Sequence, residues 1–309
     1  MTAQATGSTH AGRRSGSAAI QQMLARIPLH LALIGAVVIW SVPTIALLVS
    51  SFRDPTEIAS SGWWRALTEG GFTFSNYDRV LEARGMGRAF VNSLLIAVPS
   101  TILVLLIASM AAYAISWMEF PGRNVLFLVM VGLLVVPLQM TLIPVLRLYT
   151  SLTIETEVPL LGGRVFGQSS YSGIWLAHAG YGMPFAIYLL RNFFGSLPRE
   201  LIESAQLDGA SDTRVFFRII LPLSVPALAA LAIFQFLWVW NDLLVAMILM
   251  GDPDLAPMTL TITNLVSSFG SQYQLLTAAA FISMAVPLLV FFALQRYFVQ
   301  GLLAGAVKG

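Results

Sequence analysis

Long apolar runs alternate along this chain with short polar breaks, and the length of the runs is the first clue. Leu29 to Val49 is almost wholly apolar, and so is most of Ala89 to Trp117. Further runs cover Asn124 to about Leu146, Gly173 to about Phe194, Val225 to about Met250 and Gln274 to about Gln295. A helix rising about 1.5 Å per residue needs roughly 20 residues to cross about 30 Å of hydrocarbon, and each run reaches that length. The pattern predicts an all-α membrane protein with six transmembrane helices, the fourth interrupted by Gly180, Gly182 and Pro184. Pro99, Pro137, Pro144, Pro226 and Pro287 punctuate the others. Each removes a backbone hydrogen bond and kinks its helix, which a membrane tolerates where protein or a water-filled cavity satisfies the freed carbonyls.

The breaks divide the chain. Residues 1–27, rich in Ser, Gly and Ala, read as a disordered tail, and 28–52 as a first, uncleaved span whose apolar run exceeds the 7–15 residues of a signal-peptide core. Residues 53–88 form an outer loop in which Trp63-Trp64 either meets the membrane interface or is buried under the loop's own fold. Residues 89–295 form a five-helix core. It contains a turn at 118–123, outer loops at 147–172 and around Asp252-Pro253-Asp254, and a long polar segment at 196–222. Residues 296–309 close the chain as a tail with an extended, adaptable course. With both termini inside, ten Lys and Arg fall on the inner side and seven on the outer, a modest asymmetry that puts the 196–222 loop in the cytoplasm.

That central loop carries strong helix punctuation. Ser196 is placed to cap a short helix and Pro198 to sit in its first turn. Gly209 stands where a left-handed residue ends it. Ser211 is placed to cap a second helix with Asp212 in its first turn, and Pro222 to close it. On pattern alone this is a docking element or an ordinary loop between spans.

The spacing Glu203-x-Ala205-x-x-x-Gly209, followed after nine residues by Ile219-x-Leu221-Pro222, resembles the EAA loop of ABC-importer permeases, with Ser204 where that family usually has Ala. Trp240-Asn241-Asp242, the Glu119-Phe120-Pro121-Gly122 turn and the ending Gly301-Leu302…Gly305-Ala306-Val307-Lys308-Gly309 resemble the sugar-importer permeases of the MalG type. The likeness covers roughly residues 74 to 309. It implies the type I ABC-importer permease fold, in a bacterial inner membrane with both termini cytoplasmic. It also implies a binding-protein-dependent, ATP-driven importer for a carbohydrate such as a di- or oligosaccharide or glycoside, or else for another polar solute. The implied partners are a second, homologous permease, a dimer of cytoplasmic ATPases and an extracytoplasmic sugar-binding protein. No cofactor is expected in this chain, since ATP and Mg would sit on the ATPases. The coupling loop would be carried by Glu203, Ser204, Ala205, Asp208, Gly209, Ile219, Leu221 and Pro222. Gly209 would permit the sharp turn, Ala205 close approach, and Glu203 a contact within the loop or to a basic group.

Composition narrows the rest. The chain is 57% hydrophobic and 10% charged, against about 25% charged in soluble domains. It has no cysteine, which excludes disulfides, thiolate catalysis and Cys–zinc sites. A net charge of +2 gives no nucleic-acid footprint, and no Walker, H-E-x-x-H or G-x-S-x-G motif is present. Asp242 is the one acid well inside an apolar run, about 25 Å along its helix, and an acid there is costly unless paired or wet. With Asn241 and Trp238 it would line a sugar path, aromatic faces covering C–H surfaces and amides or acids binding hydroxyls. The alternatives are a structural hydrogen bond or a solvated helix end. Gln139 is a further candidate on the path, although it, Asn92, Gln235 and Asn264 equally suit interhelical hydrogen bonds. His178 and Asp242 fall on different predicted helices and form no expected pairing, so an intramembrane enzyme has little to build on.

Overall fold

The computed structural model describes residues 16–82, 85–155, 164–269 and 272–306. Helix α1 (Gly16–Ser51) begins well before the first apolar run and passes through Pro28 and Pro43. The expected tail is therefore helical from Gly16, because Ala18 to Arg26 is made of good helix formers with nothing to stop it; residues 1–15 lie outside the described residues.

The outer loop folds onto the end of α1 as three short helices, α2 (Pro55–Ser60), α3 (Ala66–Glu69) and α4 (Ser75–Glu82). Asp54 starts α2 by accepting hydrogen bonds from Thr56 N (3.0 Å) and Thr56 Oγ1 (2.7 Å). These bonds hold its carboxyl below the usual carboxylate range. Buried Arg53 donates to Glu57 O (2.9 Å) and Ser61 O (3.2 Å), and Asn76 Nδ2 donates to Ser51 O (3.0 Å) and Arg53 O (2.8 Å). Trp63 is half-buried and Trp64 exposed.

The core follows: α5 (Met86–Trp117), α6 (Arg123–Leu133), α7 (Leu138–Ser151), a two-stranded antiparallel ribbon of Ile154–Glu155 with Arg164–Phe166, and α8 (Tyr171–Phe194). The central loop holds α9 (Arg199–Leu207), α10 (Asp212–Val215), a π turn (Phe216–Ile220) and α11 (Leu221–Leu223). Then come α12 (Val225–Trp240), α13 (Leu244–Leu249), α14 (Met258–Phe269) and α15 (Tyr273–Ala306). Helix α5 packs along α8 and α12, and α12 along α15. Ala97, Ser100, Ala108 and Ala112 of α5 and Ala186 of α8 are wholly buried; residues this small let membrane helices approach closely.

Among the described residues, three helices are long and apolar enough to cross a membrane alone, over Arg26–Ser51, Met86–Trp117 and Tyr273–Arg296. Two bent pairs qualify together: α6 with α7, bent by 103°, and Asp212–Leu223 with α12, bent by 75°. Helix α8 is long enough, at 24 residues or about 36 Å, but Gly180, Gly182, His178 and its tyrosines dilute its apolar character.

Two expected spans are thus not single helices. The third breaks at Leu134–Pro137, because Pro137 has no N–H to donate and pushes the residue before it out of helical geometry. The fifth ends at Trp240 and restarts at Leu244, since the Asn241 and Asp242 side chains bond the neighbouring backbone in place of the helix. Helix α14, which follows the Asp252–Asp254 loop, was not expected at all. The tail is not extended either: α15 continues through it to Ala306, and residues 307–309 lie outside the described residues.

Two buried clusters organise the bundle. One gathers Ala97, Ile174, Trp240, Leu249 and Leu275 beside the outer loops. The other gathers Tyr113, Leu190, Phe194, Ile202, Val215, Phe216 and Ile220, and so includes the central loop.

Candidate functional site

The central loop is bolted to the bundle on one face and free on the other. Within it, Ile202 of α9, Val215 of α10, and Phe216 and Ile220 of the π turn are buried against Tyr113 of α5 and Leu190 and Phe194 of α8. Tyr113 lies tilted against Phe216, ring centroids 5.3 Å apart, and its hydroxyl reaches Asp212 Oδ1 at 3.4 Å. The opposite face of α9 exposes Leu201 and, at 89%, Leu207. Burying an apolar side chain of that size is worth about 1.5–3 kcal/mol.

Punctuation of the loop differs in detail from expectation. Ser196 does not cap α9; its hydroxyl donates to Phe193 O at 2.7 Å, and Pro198 flanks the helix instead. Gly209 is left-handed as expected, at φ +77°. Its N–H donates to Gln206 O and that of Ala210 to Ala205 O, both at 3.0 Å, which is the pair of bonds that closes a Schellman end. Ser211 holds the cap position of α10 by backbone alone, and Asp212 lies in the first turn. Pro222 does not close that helix. The turn before it widens, the Leu221 N–H reaching back five residues to Phe216 O, so that helical structure runs through Pro222 to Leu223 and bends at buried Ser224. Glu203, Ser204, Asp208 and Pro222 are exposed, while Ala205, Ile219 and Leu221 are half-buried.

The second candidate region lies deeper. Asp242 sits in the break between α12 and α13 with its side chain 10% exposed. Its carboxylate accepts from Ala246 N (3.1 Å) and Val245 N (3.4 Å), satisfying the first donors of α13. Its backbone carbonyl accepts from Thr259 of α14 at 2.6 Å. His178 of α8, wholly buried, brings Nε2 to 3.8 Å from Asp242 Oδ2. The sequence kept these two residues apart, and the fold sets them side by side. The His178 ring in turn meets Trp238 edge to face, centroids 5.9 Å apart.

Trp238 is 39% exposed and borders a cavity of about 220 Å³, together with Leu134, Thr141, Gly180, Tyr181 and Pro184. Asn241 is exposed, its amide donating to Leu237 O at 2.8 Å, and Gln139 is exposed on α7. Of the four residues expected on a path, only Trp238 lines this cavity. Thr141 and Tyr181, which the sequence did not single out, join it there. Gln235 is buried where α12 crosses α8, and a Cβ on Gly182 would lie 2.5 Å from its Oε1. Asn92 ties elements together, donating to Asp254 O (2.9 Å) and Ala256 O (3.0 Å) and accepting from Tyr171 (2.7 Å).

Comparison with known proteins gives the family of this helical membrane bundle. The chain belongs to the binding-protein-dependent transport system inner membrane components, whose pattern matches residues 85–303. It is a multi-pass inner-membrane transport component of the type I ABC-importer permease fold. It is 51% identical over 288 residues to the osmoprotective compounds uptake permease protein GgtD of Synechocystis sp., with 92% of each chain covered. It is 43% identical to the alpha-glucoside transport system permease protein AglG of Rhizobium meliloti, covering 91% of this chain and 96% of that one. Among solved structures it superposes on a chain of a bacterial ABC transporter that imports the acidic polysaccharide alginate, with a TM-score of 0.69, 21% identity, and 93% and 99% of the two chains covered.

Proposed function

We propose that this chain is one of two permease subunits of an ATP-driven, binding-protein-dependent importer for a carbohydrate, a di- or oligosaccharide or glycoside of the α-glucoside kind. The observation that carries the proposal is the central loop, held to the transmembrane core by buried Ile202, Val215 and Phe216 while Leu201 and Leu207 stay free. A cytoplasmic ATPase that covers the free face of α9 moves the loop, and the loop, being packed on α5 and α8, moves the spans between inward- and outward-facing states. ATP and Mg belong to those ATPases. The sugar is handed over by an extracytoplasmic binding protein, and both termini of this chain are cytoplasmic. The name of the 43% identical relative supports the α-glucoside class.

Changing Leu207 to Asp tests this arrangement. The permease pair is expected to assemble and lose its ATPases on copurification; retained ATPases with normal uptake overturn it. A second reading is a non-sugar polar solute; the 51% identical relative is named for osmoprotective compounds, a class that holds sugars as well as betaines. Uptake of labelled sucrose and maltose and of labelled glycine betaine, measured side by side, separates the two: uptake of betaine without either sugar favours the second.

A further inference from the structure

We infer that the cavity at the α6–α7 break is a sugar subsite, one in which this subunit itself holds a single pyranose ring of the substrate; the inference rests on the carbohydrate reading above. The argument begins with the backbone. The break at Leu134–Pro137, bent by 103°, leaves a non-helical stretch between two helices that together are long and apolar enough to cross a membrane. Such backbone is tolerated at membrane depth only where protein buries it or where it lines a water-filled cavity. Leu134 does line the cavity.

The opposite wall is built by the middle of α8. Pro184 has no N–H, so the Gly180 carbonyl lacks its donor four residues on. Both residues border the same space. No atom lies within 4 Å of where a Cβ on Gly180 would stand. Two hydroxyls close the polar side, those of Thr141 and Tyr181, 3.1 Å apart, the Thr141 proton going to Leu138 O at 2.7 Å. The Trp238 indole closes the apolar side, held in place from behind by the His178 ring, which itself lies beside Asp242.

One aromatic ring and two hydroxyls around a mostly apolar space are what a sugar ring asks for: a surface for its C–H face and a few placed partners for its hydroxyls. The size agrees. At about 220 Å³ the cavity is below the roughly 300–1,000 Å³ of sites for drug-sized ligands, and it takes one ring of a longer substrate.

The test uses the complete importer in proteoliposomes with its loaded binding protein, labelled sucrose and maltose as probes, and two readouts: ATP hydrolysis stimulated by the loaded binding protein, and sugar delivered per ATP. Gly180→Leu fills the cavity from a position with open space. It is expected to leave stimulated hydrolysis within twofold of the parent and to lower sugar per ATP at least tenfold. Trp238→Leu should do the same, and Trp238→Phe, which keeps an aromatic face, should recover most of the delivery. Unchanged sugar per ATP in Gly180→Leu and Trp238→Leu overturns the subsite. So does a parallel fall of hydrolysis and delivery in both, which marks a structural defect. A parent importer that moves neither sugar refutes the carbohydrate reading and the subsite with it, whereas normal parent transport with indifferent variants refutes the subsite alone.

Discussion

At the scale of single residues, Asp242 shows how a carboxylate inside an apolar run is made tolerable. Its two oxygens meet the first N–H groups of α13, and its neighbour His178 is 3.8 Å away. The acid is therefore bound up in ending one helix and starting the next, and it lies beside the His178 ring that meets Trp238. Asn is as good a cap as Asp, whereas Ala removes the acceptor at a cost of about 0.5–2 kcal/mol. Asp242→Asn is expected to assemble and transport nearly as the parent does, and Asp242→Ala to lower the melting temperature of the purified complex by a few degrees. If Asp242→Asn assembles normally but loses most of its transport, the carboxylate itself lies on the path and the supporting role is wrong.

At the scale of elements, the central loop joins rigidity to exposure. Gly209 has no atom of this chain near a potential Cβ, so a substitution there strains the fold only through the backbone. At φ +77° a β-branched residue is strained by about 1–3 kcal/mol, whereas Asn visits this region readily. Gly209→Val is expected to leave the bundle folded and abolish uptake, and Gly209→Asn to retain much of it; equal uptake by both variants would remove the turn from the mechanism. This turn was legible in the sequence because Gly209 follows a short polar helix, and the apolar runs were legible because hydrocarbon thickness fixes their length. The 103° bend was not, although Pro137 was noticed, because a proline announces a break without its angle. Pro222 misled for the opposite reason: a widened turn ahead of it absorbs the missing donor. The meeting of His178 with Asp242, and of Tyr181 with Thr141, depends on how α8 lies against its neighbours, which no local pattern records.

At the scale of the whole molecule, the exposed surface is of two kinds. Helix α1 leaves almost all of its apolar run exposed, with residues such as Trp40 and Val38, a face that acyl chains satisfy. The α6–α7 face is as apolar at Val135, Met140 and Ile143 but also carries exposed Gln139 and the mouth of the Trp238 cavity. An uncovered amide and a broken backbone are costly against lipid, so protein or water must cover this side. In an importer with two homologous permeases, this face is the one expected to meet the second. The chain has no cysteine, so single cysteines can be introduced without a background. Met140→Cys is expected to cross-link to the second permease when paired with a scan of cysteines there, in an importer that stays active before oxidation. Trp40→Cys should give no such product and should instead react with a lipid-soluble maleimide. Cross-linking through Trp40→Cys in place of Met140→Cys would exchange the two faces and detach the cavity from the subunit boundary.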